Sequence, residues 1–590
     1  MDKFQKEIIK QLNKLNIKDP VLSKPKIPEH GDYAFPCFQL AKEWKKSPQE
    51  IAQELGRKIP LTKLIEKIHI LGPFVNFFIN KKEFAKVVLN AIYKEKHKYG
   101  RPAKSRKEKV MVEFCSPNTN KPLHLGHVRN CVIGDSVSKI LYFQGNKVTK
   151  ANLVNDRGVH ICKSMLAYQK WGNGKLPDIK SDFFVGKYYV MFAQKSEEMN
   201  KSKNKDGEEY EPDQLEKEAQ LMLQKWEQGD REIIKLWKKM NSWVYEGFNE
   251  TYKSLGVSFD KFYYESKIYK DGKDIILDGL DKKKFEKDET GAIIANLEKY
   301  KLPNKVLMRG DGTALYITQD IFLAKKKIED YKLDQSIYVV GSEQNMHFER
   351  LFKIIEVLGY KWAKNLKHLS YGMVYLPEGK MKSREGKVVD ADDLVREMKE
   401  LARFQIKERH KDLTDKEADE RAGIIGLGAL KFFLLKTDFV KDIYYNPEES
   451  ISFEGETGPY VQYTHARICS IMKKLDELAK TEVDSSFYKF DAKFVKSVKF
   501  EVYEEKENEI IKMLSNFPYT AEDAASHLKP SLITRYLLDL SQKVNEFYHS
   551  SPILKAPDDL LRARILLAYS AKQVIETGLK LLGIDAPDEM

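Results

Sequence analysis

The chain has 590 residues, 42% hydrophobic and 32% charged, which is too long for one core and predicts three or four domains. Its 101 Lys+Arg against 88 Asp+Glu leave +13, a balance permissive for RNA without proving it. Five cysteines without a Cys-x-x-Cys pair argue against structural zinc or a disulfide framework and fit a reducing cytosol. No apolar run approaches the roughly eighteen residues of a membrane span, and an N-terminus with acids and no arginine reads unlike a signal or transit peptide.

Residues 1 to about 104 read as a small α+β unit. Phe4, Ile8, Leu12 and Leu15 share one helical face, and two β-rich runs around Gly72-Pro73 predict a hairpin. A basic, proline-containing stretch, Lys98–Lys109, closes the unit. From 105 to 454, strand-like runs (Val110–Phe114, Val148–Val154, Ile337–Val340) alternate with helical patterns. That alternation predicts an α/β fold, a Rossmann-like doubly wound parallel sheet with its ligand crevice at the strand C-terminal ends. A charged helical insertion is predicted over about 165–305. Within it Lys195–Tyr210 reads as a mobile surface loop, and the Ile233, Trp237, Met240, Val244, Phe248 stripe reads as core packing. Residues 455–590 show strong 3.6-residue periodicity and predict an all-α bundle.

The most informative stretch is Ser116-Pro-Asn-Thr-Asn-Lys-Pro-Leu-His-Leu-Gly-His127, between the Val110–Phe114 run and a predicted helix. His124 and His127, three apart, face one side of a first helical turn. Gly126 lets a ligand lie against the backbone, and a helix N-terminus favours phosphate. This suits holding a nucleotide triphosphate while its α-phosphate is attacked. Taken alone, a His-x-Gly-His tetrad equally fits zinc binding or plain packing. Some 250 residues later stands a basic, glycine-bounded loop, Gly379-Lys-Met-Lys-Ser-Arg-Glu-Gly386. Cations there would stabilise a pentacoordinate phosphate and departing pyrophosphate, although a solvated surface turn has the same composition.

The tetrad followed by a Lys-Met-x-Ser-like loop resembles the signature of class I aminoacyl-tRNA synthetases. The wording Ser116-Pro-Asn-x-Asn-Lys-Pro-Leu-His-x-Gly-His-x-Arg-Asn130, with Glu454-Gly-Glu-Thr-Gly-Pro-Tyr-Val-Gln-Tyr-Thr-His-Ala-Arg467, resembles the arginyl-tRNA synthetase family across nearly the whole chain. The resemblance implies that arginine and ATP, with Mg²⁺ on the triphosphate, give arginyl-adenylate and pyrophosphate. The arginyl group then passes to the 3′ end of tRNA(Arg). It implies that residues 1–104 touch the tRNA elbow, that 455–590 bind the anticodon region, and that the protein is cytoplasmic and monomeric.

Carried onto this sequence, the resemblance implies His124, Gly126, His127, Lys380, Met381, Lys382 and Ser383 for ATP. It implies Glu113, Ser116, Asn118, His124, Tyr316, Asp320 and Gln344 for arginine, with His124, His127, Lys121 and Lys380 catalytic. The loop departs from the usual register: serine stands where the working second lysine is usual. Lys121, three residues before His124, is favoured as the substitute. The insertion reads as too short and too helical for a hydrolytic editing domain. The rivals are a short nucleotidyltransferase, a non-catalytic RNA-binding relative, and synthetases for glutamine, glutamate or cysteine. Chain length and the helical C-terminus speak against the first, the intact His124, His127, Lys121 and Lys380 against the second, and the absence of thiol clusters against the cysteine enzyme, while the glutamine and glutamate enzymes remain alternatives.

Overall fold

The computed structural model describes residues 3–25, 27–104, 106–201, 213–375, 389–481 and 485–590. They form two compact units: 1–99 with 468–517 and 542–574, and 100–467 with 518–541 and 575–590.

In the first unit the predicted hairpin is present. Ile65–Leu71 pairs antiparallel with Phe74–Ile79, and Tyr33–Pro36 adds a third strand to the latter. The turn is tight enough that Gly72 takes φ +55°, a conformation glycine adopts without steric cost. The helix Lys3–Lys14 buries Phe4, Ile8 and Leu12, and the helix Pro48–Lys58 begins with a Ser47/Glu50 capping box. Their apolar faces close a core with Phe35, Ile51, Leu55 and Phe77 at its centre. Arg564, buried in the same unit, spends its guanidinium on Glu507 at 3.0 Å and the Pro552 carbonyl at 2.7 Å.

The second unit is built on a five-stranded parallel sheet. Its order is Leu366–Tyr371, Gln335–Gly341, Lys109–Glu113, Lys147–Val154, Lys261–Tyr264. The chain enters at Lys109–Glu113, winds outward one way through the next two strands, then returns to build the other side. The order therefore reverses between Lys109–Glu113 and Gln335–Gly341, and ligands of such sheets bind beyond the strand ends at that reversal. The central strand is apolar because helices cover both faces: Val110, Met111 and Val112 are at most 1% exposed.

Two edge strands escaped the sequence reading, because neither carries the continuous Val/Ile-rich run of the buried strands. The span 165–305, expected to be helical, supplies one of them, Lys261–Tyr264. It also carries an antiparallel ladder of Glu286–Lys287, Ile293–Ala295 and Lys305–Met308. Lys195–Asn200, expected in a loop, continues the helix Ser181–Asn200, while 202–212 lie outside the described residues. The helix Arg231–Ser254 buries Ile233, Met240, Val244 and Phe248 as anticipated; Trp237 instead donates its indole N–H to the Asp156 carbonyl at 2.6 Å. The C-terminal part is helical, with long helices Gly458–Thr481, Glu505–His527, Pro530–Ser550 and Asp558–Leu581 contributing residues to both units.

Candidate active site

The central strand ends at Glu113, and the chain leaves the sheet through two successive left-handed residues, Cys115 (φ +77°) and Ser116 (φ +49°). Asn130, from the helix Leu125–Phe143, holds this corner. Its Oδ1 accepts the Cys115 N–H at 2.5 Å, and its Nδ2 donates to the Val339 carbonyl at 2.8 Å and the Tyr371 hydroxyl at 3.0 Å. One amide thus ties together the C-terminal ends of three adjacent strands. Beyond the corner, Ser116 donates its N–H to Asn152 and accepts from Asn155, and Asn118, exposed, bridges to Asn155.

His124 is the N-cap of that helix, in extended conformation. Its Nδ1 accepts the Gly126 N–H at 3.2 Å, while its own backbone N–H donates to Nδ1 of His127, also at 3.2 Å. Because both Nδ1 atoms are occupied as acceptors, each neutral ring must carry its proton on Nε2. The ring centroids are 3.9 Å apart. Burial, and then the charge of Lys121, push His124 down to about 3. His127 is driven well below the ordinary histidine value by burial, His124 and Lys121. Both rings are therefore uncharged donors at neutral pH, at the positive end of a helix dipole. A Cβ on Gly126 would stand 3.1 Å from the His124 ring, close enough that the ring would have to shift by a few tenths of an ångström.

Arg129, two residues after His127, is wholly buried. It donates to four backbone carbonyls: Gly372 at 2.6 Å, Met373 at 3.0 Å, Phe439 at 3.2 Å and Lys441 at 2.8 Å. Burial lowers its pKa to about 10, which leaves it charged at neutral pH. The basic loop with Lys380, Met381, Lys382 and Ser383 lies outside the described residues. Both its flanks are fixed beside the histidines. Arg129 grips Gly372 and Met373 on one side, and on the other Leu125 N–H bonds Val389 O and Ala391 N–H bonds Leu123 O, at 3.0 and 2.9 Å.

A second group of side chains is acidic. Glu113 is buried and ion-paired with Lys327, which is itself inaccessible and lies 4.8 Å from the Tyr338 ring centroid. The helix Tyr316–Tyr331 starts at Tyr316, which is 66% exposed, so Tyr316 and Asp320 share a face as their spacing requires. Asp320 meets His347 at 2.8 Å, and Gln344 is exposed in the turn after Gln335–Gly341. Glu265, at the end of the edge strand, was not anticipated. Burial raises its carboxyl to about 7; Arg157 opposes this, while Asp156 and Asp320 add to it. Its Oε1 is buried and without a hydrogen-bond partner. Arg157 sits 4.2 Å from the Tyr269 ring centroid and pairs with Glu227, leaving only a 3.9 Å approach to Glu265.

Sequence reasoning also passed over Asp156 and Arg157, although a signal existed: Asn155-Asp156-Arg157-Gly158 is a polar run directly after a parallel strand, where the crevice must lie. For Glu265 and Lys327 there was no signal, because one follows an unrecognised strand and the other sits mid-helix among further lysines.

Residues 88–447 match the family described as tRNA synthetases class I (R), catalytic domain, 461–590 the DALR anticodon binding domain, and 2–79 the arginyl tRNA synthetase N terminal domain. The chain is similar to the arginine–tRNA ligase of Treponema denticola, 46% identical over 95% of this chain and 93% of that one. It is 43% identical to that of Bacteroides fragilis, over 96% and 95%. Among solved structures, Thermus thermophilus arginyl-tRNA synthetase superposes with a TM-score of 0.79 at 26% identity, covering 99% of each chain.

Proposed function

The chain belongs to the arginyl-tRNA synthetase family, and we propose that it activates L-arginine with ATP and transfers it to the 3′ end of tRNA(Arg). The observation that carries this reading is the pair of uncharged Nε2–H donors at a helix N-terminus, beside the reversal of the sheet.

The arginine carboxylate attacks the α-phosphate of MgATP and pyrophosphate leaves. A terminal ribose hydroxyl of the tRNA then attacks the acyl carbon and AMP leaves. No protein nucleophile is needed; catalysis is positioning and electrostatics. Mg²⁺ enters with the triphosphate as part of the substrate, held mostly by phosphate oxygens and water. His124 and His127 donate to phosphate oxygens through Nε2. As uncharged donors they add no cation of their own, so the protein's own positive charge at the phosphates is assigned to lysine. Lys121 is the candidate within the described residues, since its charge already acts on both rings. Lys380 is proposed to add to it, with Met381, Lys382 and Ser383 in its loop.

A guanidinium needs a planar, paired acceptor. Glu265, with an unpartnered oxygen and a carboxyl held partly protonated first by burial and then by the charges of Asp156 and Asp320, is relieved by that cation, and Asp320 is proposed to share it. Glu113, already neutralised by Lys327, ranks behind them. Tyr316 and Gln344 border the side chain, with Ser116 and Asn118 toward the α-amino end. Citrulline lacks the charge and lysine the fork, and buried acceptors left unpaired discriminate by roughly 10⁴–10⁵. No editing domain is therefore required. Residues 1–104 are assigned to the tRNA elbow and 455–590 to the anticodon region, in a monomeric, cytoplasmic enzyme. Among the described residues no helix is long and apolar enough to cross a membrane.

ATP–pyrophosphate exchange with each of the twenty amino acids, with and without tRNA, tests the proposal. Exchange with arginine is expected. Exchange with another amino acid would overturn the pocket and keep the class, and silence from folded, ATP-binding protein would favour a non-catalytic relative.

A further inference from the structure

The segment gripped by Arg129 carries a feature that the chemistry above does not use. Val374–Tyr375 and Ile443–Tyr444 run parallel, placing Tyr375 and Tyr444 in register. Their rings stack with centroids 5.4 Å apart and planes inclined by 28°. Tyr375 is half-buried, whereas Tyr444 is 70% exposed. A large ring this far in water gains little from folding.

The pair is nevertheless held rigidly. Ile443 N–H bonds Met373 O at 3.0 Å, Tyr445 N–H bonds Tyr375 O at 2.9 Å, and Asp442 Oδ1 accepts Met373 N–H at 2.6 Å. The two segments approach so closely that a Cβ on Gly372 would lie 2.5 Å from the Lys441 carbonyl carbon. Beneath them, Tyr445 is buried and packs edge-on against Phe433 at 5.6 Å.

Its position is equally defined. Tyr375 follows by four residues the end of the strand Leu366–Tyr371, whose Tyr371 hydroxyl meets Asn130 of the histidine helix. The Gly372–Met373 and Phe439–Lys441 backbones are fastened to Arg129 of the same helix. An exposed aromatic face is thus fixed to the framework that carries the phosphate-binding end of the site. Lys441, exposed on the same short segment, adds positive charge.

We infer that Tyr444, backed by Tyr375, is a stacking platform for an unpaired base of the single-stranded 3′ end of the tRNA. This inference rests on the ligase reading. That reaction must bring a 3′-terminal ribose hydroxyl to the adenylate, and the bases beside it are unpaired. Unpaired bases bind by stacking on aromatic rings regardless of their identity, with flanking cations for the backbone. Tyr444 is a positioning residue for the second step, not a group that reacts.

The test measures equilibrium binding of two RNAs, a tRNA(Arg) transcript and the same transcript lacking its unpaired 3′ nucleotides. The proteins are wild type, Tyr444→Ala and Tyr444→Phe. Because Tyr444 is mostly exposed, neither substitution removes core. Wild type is expected to prefer the intact RNA by roughly tenfold, the scale of one stacked base. Tyr444→Ala should lose that preference while binding the shortened RNA as wild type does, and Tyr444→Phe should keep it. A preference undiminished in Tyr444→Ala, or an equal weakening of both RNAs, overturns the platform alone. Weaker binding of ATP by Tyr444→Ala without RNA, with the RNA preference intact, assigns the face to the nucleotide instead and also overturns it. Failure of wild type to bind either RNA overturns the ligase reading together with the platform.

Discussion

Replacing His124 by asparagine and following stability from pH 8 to pH 5 isolates the electrostatics of the phosphate-binding end. In the folded chain His124 titrates at about 3 instead of 6.5, first because burial disfavours the charged ring and then because Lys121 repels it. Below pH 6.5 the unfolded chain therefore binds a proton that the folded chain refuses, so stability falls as pH falls. Between pH 8 and pH 5 the loss from His124 works out to about 2 kcal/mol. The ring is partly solvent-accessible, and screening brings this toward about 1 kcal/mol. Asparagine is a strong N-cap and preserves an acceptor for the Gly126 N–H, so the helix should still start at the same residue. The assay is urea unfolding followed by tryptophan fluorescence at both pH values, using the transition that ATP shifts upward, since ligand binding marks the unit containing the site. Wild type should lose about 1–2 kcal/mol more than His124→Asn over this range. Equal losses in the two proteins would refute the claim that a buried, uncharged imidazole caps this helix. So would an acidic limb near pH 6–7 in the wild-type rate of adenylate formation that vanishes in His124→Asn.

Arg129→Lys keeps a charge but cannot span four carbonyls; losing two charge-assisted bonds costs about 3–6 kcal/mol, offset by about 1–3 from removing the buried, unpartnered Nε. A net loss of about 2–4 kcal/mol in urea unfolding is expected, and under about 0.5 kcal/mol would contradict the clamp. Glu265→Gln should raise the KM for arginine at least about tenfold, the lower end for a hydrogen bond to a charged group. Because the Glu265 carboxyl sits at about 7, the wild-type KM for arginine should fall as pH rises from 6 to 8, and the variant should show no such slope. Equal slopes would remove Glu265 from the guanidinium site. Lys121→Ala should slow adenylate formation in single-turnover assays by more than about threefold; a smaller effect, under about 0.7 kcal/mol, would assign the missing lysine function elsewhere.

Local information lay in the sequence. Strand-like runs located the central strands, and β-rich runs on either side of Gly72-Pro73 the hairpin; the helix behind His124 was read from the pattern that follows the tetrad. The resemblance carried by Ser116–Asn130 and Glu454–Arg467 anticipated the family, and Tyr316 and Asp320 do share a helical face. The edge strands Lys261–Tyr264 and Leu366–Tyr371 could not be read, since neither offers the continuous Val/Ile-rich run that marks the buried strands Val110–Phe114 and Ile337–Val340.

What only the tertiary structure decided concerns partners distant in sequence. Arg129 is fixed by carbonyls more than 240 residues away, Glu113 is neutralised by Lys327 at a separation of 214, and Tyr444 finds Tyr375 through a parallel register. A charge or a ring has no meaning in the chain until folding removes water from around it and supplies its neighbour. The protonation of His124 and Glu265 was therefore invisible in the residue types: burial and neighbouring charges set it, and both exist only once the sheet has closed.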